Sequence, residues 1–253
     1  MSGHSKWATT KHKKGAADAK KGKIFTKLVR EITVAAREGG GNSENNPKLR
    51  LALERARQAN MPGENMERAI KKGTGELPGV SYEQSFYEGY GPGGVAVLVE
   101  VLTDNKNRAS SEVRNIFSKR GGSLAGSGSV SWIFKMKGYF LVERSGIDEE
   151  KLMGIVLENG AEDMKTEGNL YEITCEAKDF EQVKKALEQN RVKIQTAEVT
   201  KLPTTLVKVE GAAAKQVLQL IETLEDHDDV QNVYANFDIP DEILNEAQTY
   251  GTK

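Results

Sequence analysis

The sequence predicts an α+β multidomain chain, and three observations carry that expectation. At 253 residues the chain exceeds the ~100–150 residues of a typical domain. Its charge is segregated: between Met1 and Glu76 there are 17 Lys and Arg against 8 Asp and Glu, so the front is +9 and the remainder −10 within a net charge of −1. Helical spacing of apolar residues fills the front, whereas strand-like runs alternate with helical stretches from about residue 80 onward. The expected plan is a basic flexible arm (1–22), a three-helix bundle domain (23–79), a discontinuous α/β domain (80–134 plus 203–240), an inserted ferredoxin-like βαββαβ domain (135–202) and a C-terminal tail (241–253).

In the front, residues 2–22 are mostly small and basic with few apolar side chains, a composition that cannot build a core. From Lys23 an amphipathic helix is expected, with Ile24, Leu28, Ile32 and Ala35 on one stripe and Gly39-Gly40-Gly41 at its end. At 100° per residue, Lys20, Lys23, Lys27, Arg30 and Arg37 share the opposite face. Asn46-Pro47 announces a second helix, an N-cap residue before a proline suited to the first turn. Its stripe is Leu49, Ala52, Leu53 and Ala56, flanked by Arg50 and Arg57 on one side and Lys48 and Arg55 on the other. A third helix, 64–72, buries Met66, Ala69 and Ile70 and is expected to stop at Gly73.

After a glycine- and proline-rich hinge at 73–79, strands 82–90 and 95–102 flank Gly91-Pro92-Gly93-Gly94 and read as a hairpin. Gly89 to Gly94 match G-x-G-x-x-G by letter, but the glycines feed Val95-Ala96-Val97-Leu98-Val99 and not a helix, so the dinucleotide reading fails. A polar loop, 103–108, leads to a helix at 110–119 and a strand around 131–134. The order strand 139–143, helix 148–158, strand 161–164, strand 170–175, helix 179–189, strand 194–199 is the split βαβ plan. Strand 205–209, helix 212–224 and strand 230–237 then complete the earlier hairpin and helix, and a tail helix follows Pro240.

The chemistry-bearing residues are few. Cys175, the one cysteine, sits in the alternating run Leu170 to Cys175, which fits a buried strand thiol in a reducing compartment. No apolar run reaches the ~18–20 residues of a membrane span, and the basic N-terminus has no apolar segment after it to make a secretory signal. A cytoplasmic protein without membrane contact is expected. Two of the three histidines, His4 and His12, fall in the arm. The third, His227, lies among Glu222, Glu225, Asp226, Asp228 and Asp229, where a solvated acidic surface is favoured over a divalent-ion site for want of calcium-loop spacing. No nucleophile, paired-carboxylate or metal constellation can be read from the spacing, so no enzymatic activity, cofactor or metal is expected.

The basic front points to nucleic acid. Lys6, Lys11, Lys13, Lys14, Lys20, Lys23, Lys27 and Arg30 are the expected phosphate contacts, and Trp7, His4 and His12 the residues placed to stack on bases. Docking of Trp7 on the bundle surface is an equal alternative, and nothing marks one helix as a recognition helix. Asn105, Lys106 and Arg108 form a candidate second contact loop at a strand-to-helix junction, with an ordinary capped loop as the other reading. Opposite charge on the two parts also allows the acidic back to fold over the arm.

Gly3-His4-Ser5-Lys6-Trp7, Lys11-His12-Lys13-Lys14, Asn60-Met61-Pro62, Glu67 to Gly73, Tyr87 to Gly94, Thr103-Asp104-Asn105, Asp229-Val230-Gln231 and Ala235 to Pro240 together resemble the YebC/PmpR family along essentially the whole chain. The resemblance implies an N-terminal helical domain plus two α/β domains, one inserted in the other. It further implies a cytoplasmic, DNA-binding protein of the kind described as a probable transcriptional regulator. Another branch of that family, which includes a mitochondrial translational activator of cytochrome oxidase, acts on ribosomes and helps synthesis through proline-rich stretches. The expectation is therefore a non-enzymatic DNA-binding regulator that presents its acidic domains to a protein partner. The alternative is a translation factor that uses the same arm on ribosomal or transfer RNA. The oligomeric state is not legible in the sequence.

Overall fold

The computed structural model describes residues 18–240 and 242–244. Three helices come first: α1 (Asp18–Gly39), α2 (Pro47–Gln58) and α3 (Gly63–Thr74). α1 begins before the expected Lys23, so the end of the stretch read as arm is helical; Ala19, Lys20 and Lys21 favour helix, and Gly22 in its interior costs only about 1 kcal/mol. Leu28, Ile32, Ala35 and Ala36 of α1 pack on Leu49, Ala52, Leu53 and Ala56 of α2 and on Ala69 of α3. Asn46 caps α2 by accepting from Leu49 N at 3.1 Å, and its amide donates to the carbonyls of Ala35 and Gly40, tying the two helices at their junction.

Gly73 does not end α3. The helix continues to Thr74 and is closed by Gly75 in the left-handed region, φ 85°. Gly73 instead sits where α3 meets α1, and a Cβ there would lie 2.4 Å from the Thr33 carbonyl and 2.7 Å from the Ala36 Cβ. The glycine is needed for close helix approach, and the C-cap role falls to its neighbour.

The rest of the chain is built on antiparallel sheets, in keeping with the expected α+β class. β1 (Glu83–Tyr90) and β2 (Ala96–Thr103) form the hairpin, in register from Glu83 opposite Thr103 to Tyr90 opposite Ala96. β3 (Ser123–Leu124) pairs with β1, and β9 (Val230–Ala235) pairs with β2, giving the order β3-β1-β2-β9. This sheet therefore draws strands from both ends of the stretch 83–235. One of its faces carries Val97, Val99 and Val101, packed against α4 (Lys106–Lys119) and α7 (Gly211–Glu225) through Val113, Phe117, Leu220 and Ile221. β8 (Val207–Lys208) and β10 (Phe237–Asp238) make a short parallel pair beside it.

Between β3 and β8 along the chain comes a second four-stranded sheet of β4 (Phe134–Glu143), β5 (Ala161–Glu167), β6 (Leu170–Glu176) and β7 (Ile194–Pro203), in the order β5-β6-β4-β7. α5 (Glu149–Glu158) and α6 (Phe180–Gln189) cover one face, with Leu152 and Val183 packed in one core with Phe140, Val142, Ile173 and Cys175. Cys175 is fully buried, and burial pushes its thiol up to about 11. It is an inert strand side chain, as its alternating run indicates.

Two local differences matter. The strand expected around 131–134 is a 3₁₀ turn at Ser131–Ile133 that opens directly into β4. The loop expected at 103–108 is shorter, because α4 starts at Lys106 with Asn105 as its N-cap, accepting from Arg108 N at 3.1 Å. Asn105 competes well for the free N–H groups of a first turn, which carries the helix N-terminal to the apolar residues that mark it in the sequence. Past Pro240 the described residues 242–244 are helical, and Leu244 packs into the core beside Ile239.

Candidate nucleic-acid interface

His4, Lys6, Trp7, Lys11, His12, Lys13 and Lys14 lie outside the described residues, and Lys20 falls in the first turn of α1. The remaining members of the expected cationic row are docked. Lys23 Nζ donates to the Asp226 carbonyl at 3.1 Å and Lys27 Nζ to the Glu225 carbonyl at 2.6 Å. Those carbonyls end α7, where four C=O groups lack helical partners and the macrodipole is negative, so an ammonium there contributes about 0.3–1 kcal/mol. Arg37, nearly three turns further along α1, donates to the Ser81 hydroxyl and the Val80 carbonyl, clasping the segment between α3 and β1.

Arg30 is the centre of this contact. Its Nη1 donates to Asp229 Oδ1 at 2.7 Å and to the carbonyls of Asp228 and Leu102 at 2.6 and 3.3 Å, while its guanidinium lies 5.3 Å from the centre of the Tyr82 ring. Asp229 is 3% exposed. Its other oxygen accepts from Thr103 Oγ1 and Arg108 Nη2, both at 2.8 Å. Burial alone would raise the Asp229 pKa; the hydrogen bonds from Arg108 and Thr103 and the charge of Arg30 outweigh it and hold the carboxyl below its ordinary value. One buried carboxylate thus joins α1, the end of β2, the first turn of α4 and the turn after α7. Part of the acidic run expected to be a solvated surface is an internal joint.

Of the second candidate loop, Arg108 is drawn into the same joint. Asn105 spends its side chain on the α4 cap, and Arg108 spends its own on Asp229 and Asp104. Lys106 pairs with Glu83 at 2.5 Å, and that pair is exposed on both sides. Glu112, His227 and Asp229 bring three potential ligand atoms within 4.8 Å of one another. The ring is nevertheless committed: Nδ1 accepts from Asp229 N at 3.1 Å, and Nε2 meets Glu112 Oε2 at 2.8 Å. With Nδ1 as acceptor the neutral ring carries its proton on Nε2, so no lone pair is left for a metal, and the group reads as a clamp on the turn.

What the helical region offers outward is a different set. Arg50 and Arg57 on α2, and Arg68 and Lys71 on α3, are exposed, and among the described residues no ion pair engages them. Arg50 and Arg57 are seven residues apart and Arg68 and Lys71 three apart, so each pair shares a face of its helix. Their positions beside the apolar stripes are visible in the sequence, but nothing there distinguishes them from the α1 row. The distinguishing fact is where the acidic turn lies.

Residues 5–76 match the family model described as the TACO1/YebC protein N-terminal domain, and residues 82–237 the one described as the TACO1/YebC second and third domain. The chain belongs to the TACO1/YebC family. Relatives named probable transcriptional regulatory protein include one from Dictyoglomus turgidum, 58% identical over 245 residues and covering 96% of this chain and 98% of that protein. Another, from Desulfatibacillum aliphaticivorans, is 57% identical over 246 residues, covering 97% of this chain and 100% of that protein. A crystal structure of a conserved hypothetical protein from Aquifex aeolicus is similar with a TM-score of 0.79 and 50% identity, covering 90% of this chain and 94% of that one. No helix among the described residues is long and apolar enough to cross a membrane.

Proposed function

We propose that the chain is a non-enzymatic, nucleic-acid-binding regulator of gene expression, acting on DNA in transcription, as the names of its relatives suggest. The observation that carries this reading is the set Arg50, Arg57, Arg68 and Lys71, exposed on the helical region and without ion pairs among the described residues. Together with the basic segment that precedes them, they supply the point charges that phosphates require. Lys23, Lys27 and Arg30 serve differently in this conformation: they fix the helical region against the α/β region and set the direction in which the other cations face. Lys106 belongs to the proposed contact surface, whereas Arg108 is a scaffold residue.

The domain plan fits this division of labour. We read the chain as a basic arm, a three-helix unit, a discontinuous α/β domain and an inserted ferredoxin-like domain, the acidic α/β parts being the surface offered to a protein partner. The test is recovery from lysate. Enrichment with particular promoter fragments supports the transcriptional reading. Co-sedimentation with ribosomes without promoter enrichment replaces it with the translational one, in which the same cations hold ribosomal or transfer RNA.

A further inference from the structure

The most exposed large apolar side chain among those described is Trp132, at 67%. It is held rigidly all the same. Its Nε1 donates to the Ser129 carbonyl at 3.1 Å, and the Tyr90 hydroxyl donates to the same oxygen at 3.2 Å. Two aromatic rings, the second 40% exposed, therefore converge on one atom. The loop that supplies this atom is braced from beneath. Glu88, 6% exposed, accepts from the backbone N–H groups of Gly128, Val130 and Ser131 at 2.8, 2.6 and 2.8 Å. Ser129 Oγ closes the turn onto the Gly126 carbonyl at 2.7 Å. A buried carboxylate spent on three N–H groups of a surface loop keeps two rings in place at the surface.

The surroundings are concave and carry both signs of charge. Ile133, next to Trp132, accepts at its carbonyl from Thr204 N and Thr204 Oγ1 at 2.8 and 3.0 Å. Thr204 also lines a cavity of about 320 Å³ shared by Lys135, Lys137 and Lys165. Lys137 is paired there with Glu162 and Glu176 and Lys165 with Asp163, and Glu172 also lines the cavity, but Lys135 is exposed and makes no ion pair among the described residues. On the other side, Lys119 and Arg120 end α4 just before Ser123, the residue opposite Tyr90 in the sheet. By contrast Phe86, on the same face of β1 as Tyr90, is already capped by the Lys201 ammonium at 4.1 Å; Trp132 has no such cap among the described residues.

We propose that Trp132 and Tyr90 form a stacking platform for an unpaired base of a single-stranded nucleic acid, whose phosphate reaches Lys135 at the adjoining cavity. Rigid, exposed rings beside cations are what sequence-tolerant strand binding uses, since every base has a π-face and every phosphate a charge. A duplex keeps its bases stacked internally and has none to offer. The inference rests on the nucleic-acid reading above and adds the strand state and the residues that sense it.

The chain has two tryptophans, Trp7 and Trp132, so Trp7→Phe leaves Trp132 as the reporter. The experiment titrates that protein with twelve-nucleotide oligo(U), oligo(dT) and a mixed-sequence DNA duplex, following Trp132 emission and, by anisotropy of labelled strands, affinity. Quenching by either single strand but not by the duplex is expected, and the stronger of the two strands identifies RNA or DNA as the source. Trp132→Ala is expected to weaken single-strand binding about tenfold, the order of one lost base–aromatic stack. It should leave duplex affinity within twofold, and Trp132→Phe should restore most of the loss. Binding of single strands without quenching, or with affinity unchanged in Trp132→Ala, overturns the platform and leaves the nucleic-acid reading standing. Absence of binding to all three probes overturns both.

Discussion

Replacing Asp229 with Ala should loosen the joint between the helical and α/β regions, and the structure sets how much. Thr103 loses one acceptor but keeps the Asn105 carbonyl at 3.2 Å, so its share of the loss is small. Arg30, with its side chain 13% exposed, retains two carbonyls and loses the carboxylate that neutralised it. Stranding a buried charge outright costs about 3–5 kcal/mol; with those carbonyls in place, about 2–3 kcal/mol is the reasoned figure. For a chain of this size each kcal/mol shifts the melting midpoint by roughly 2–4 °C, so thermal unfolding should show a drop of roughly 4–12 °C. Asp229→Asn should lie between the variant and the parent, since the amide keeps one acceptor. The pH dependence has a fixed sign. The Asp229 pKa is depressed below its ordinary 3.8, so its contribution is fully present above that value and is lost as pH falls through the lower folded value. The Ala variant should lack that part of the acid sensitivity. A midpoint within 2 °C of the parent would refute the view that Asp229 organises the joint.

Further outcomes follow from other elements. Glu88→Gln can keep its acceptor toward Val130 and Ser131 but must turn its amide toward Gly128 N, so a loss of about 1–3 kcal/mol and faster hydrogen exchange at Gly128 are expected; unchanged exchange would count against the brace. Gly73→Ala forces a Cβ against the Thr33 carbonyl and the Ala36 side chain and should cost about 1–3 kcal/mol by overpacking, whereas Gly75→Ala should cost about 1 kcal/mol for its left-handed backbone. Equal, negligible shifts in urea midpoints would show that neither position is constrained. Changing Lys23 and Lys27 together to Ala should lower stability by about 1–2 kcal/mol through the lost helix-end contacts, and denaturation that leaves the midpoint unmoved would show those contacts to be idle.

The sequence reveals most readily what depends on neighbours along the chain. The apolar stripes of α1 to α3, except for Ile24, which is 42% exposed at the start of its stripe, the Asn46-Pro47 start, the hairpin around Gly91 to Gly94 and the strand thiol of Cys175 all follow from local pattern, and the structure reproduces them. What it conceals depends on residues far apart. Lys23, Lys27 and Arg30 have the spacing of a phosphate-binding row, but Glu225 to Asp229 arrive beside them from about two hundred positions away and occupy them. Gly73 resembles a helix stop because glycine often is one; only the approach of α1 shows that the missing Cβ is the point. The turn at Ser131–Ile133 reads as strand from Trp132-Ile133-Phe134 alone, because the carboxylate that bends it, Glu88, lies on another strand. The aromatic platform was hidden for the same reason: nothing in the sequence places Tyr90 beside Trp132.

Which cations meet phosphate is measured directly by salt dependence. If about six phosphates are contacted, affinity should fall roughly 10³-fold between 50 and 200 mM salt. Replacing Arg50, Arg57, Arg68 and Lys71 with Ala together should reduce the slope of log affinity against log salt by roughly 3–4 units. Because these side chains are exposed and unpaired among the described residues, stability should stay within about 0.5 kcal/mol per site. A fourfold variant that melts with the parent and loses slope is the predicted result. One that keeps both the parent's affinity and its slope would contradict the assignment of the helical region as the phosphate-binding surface.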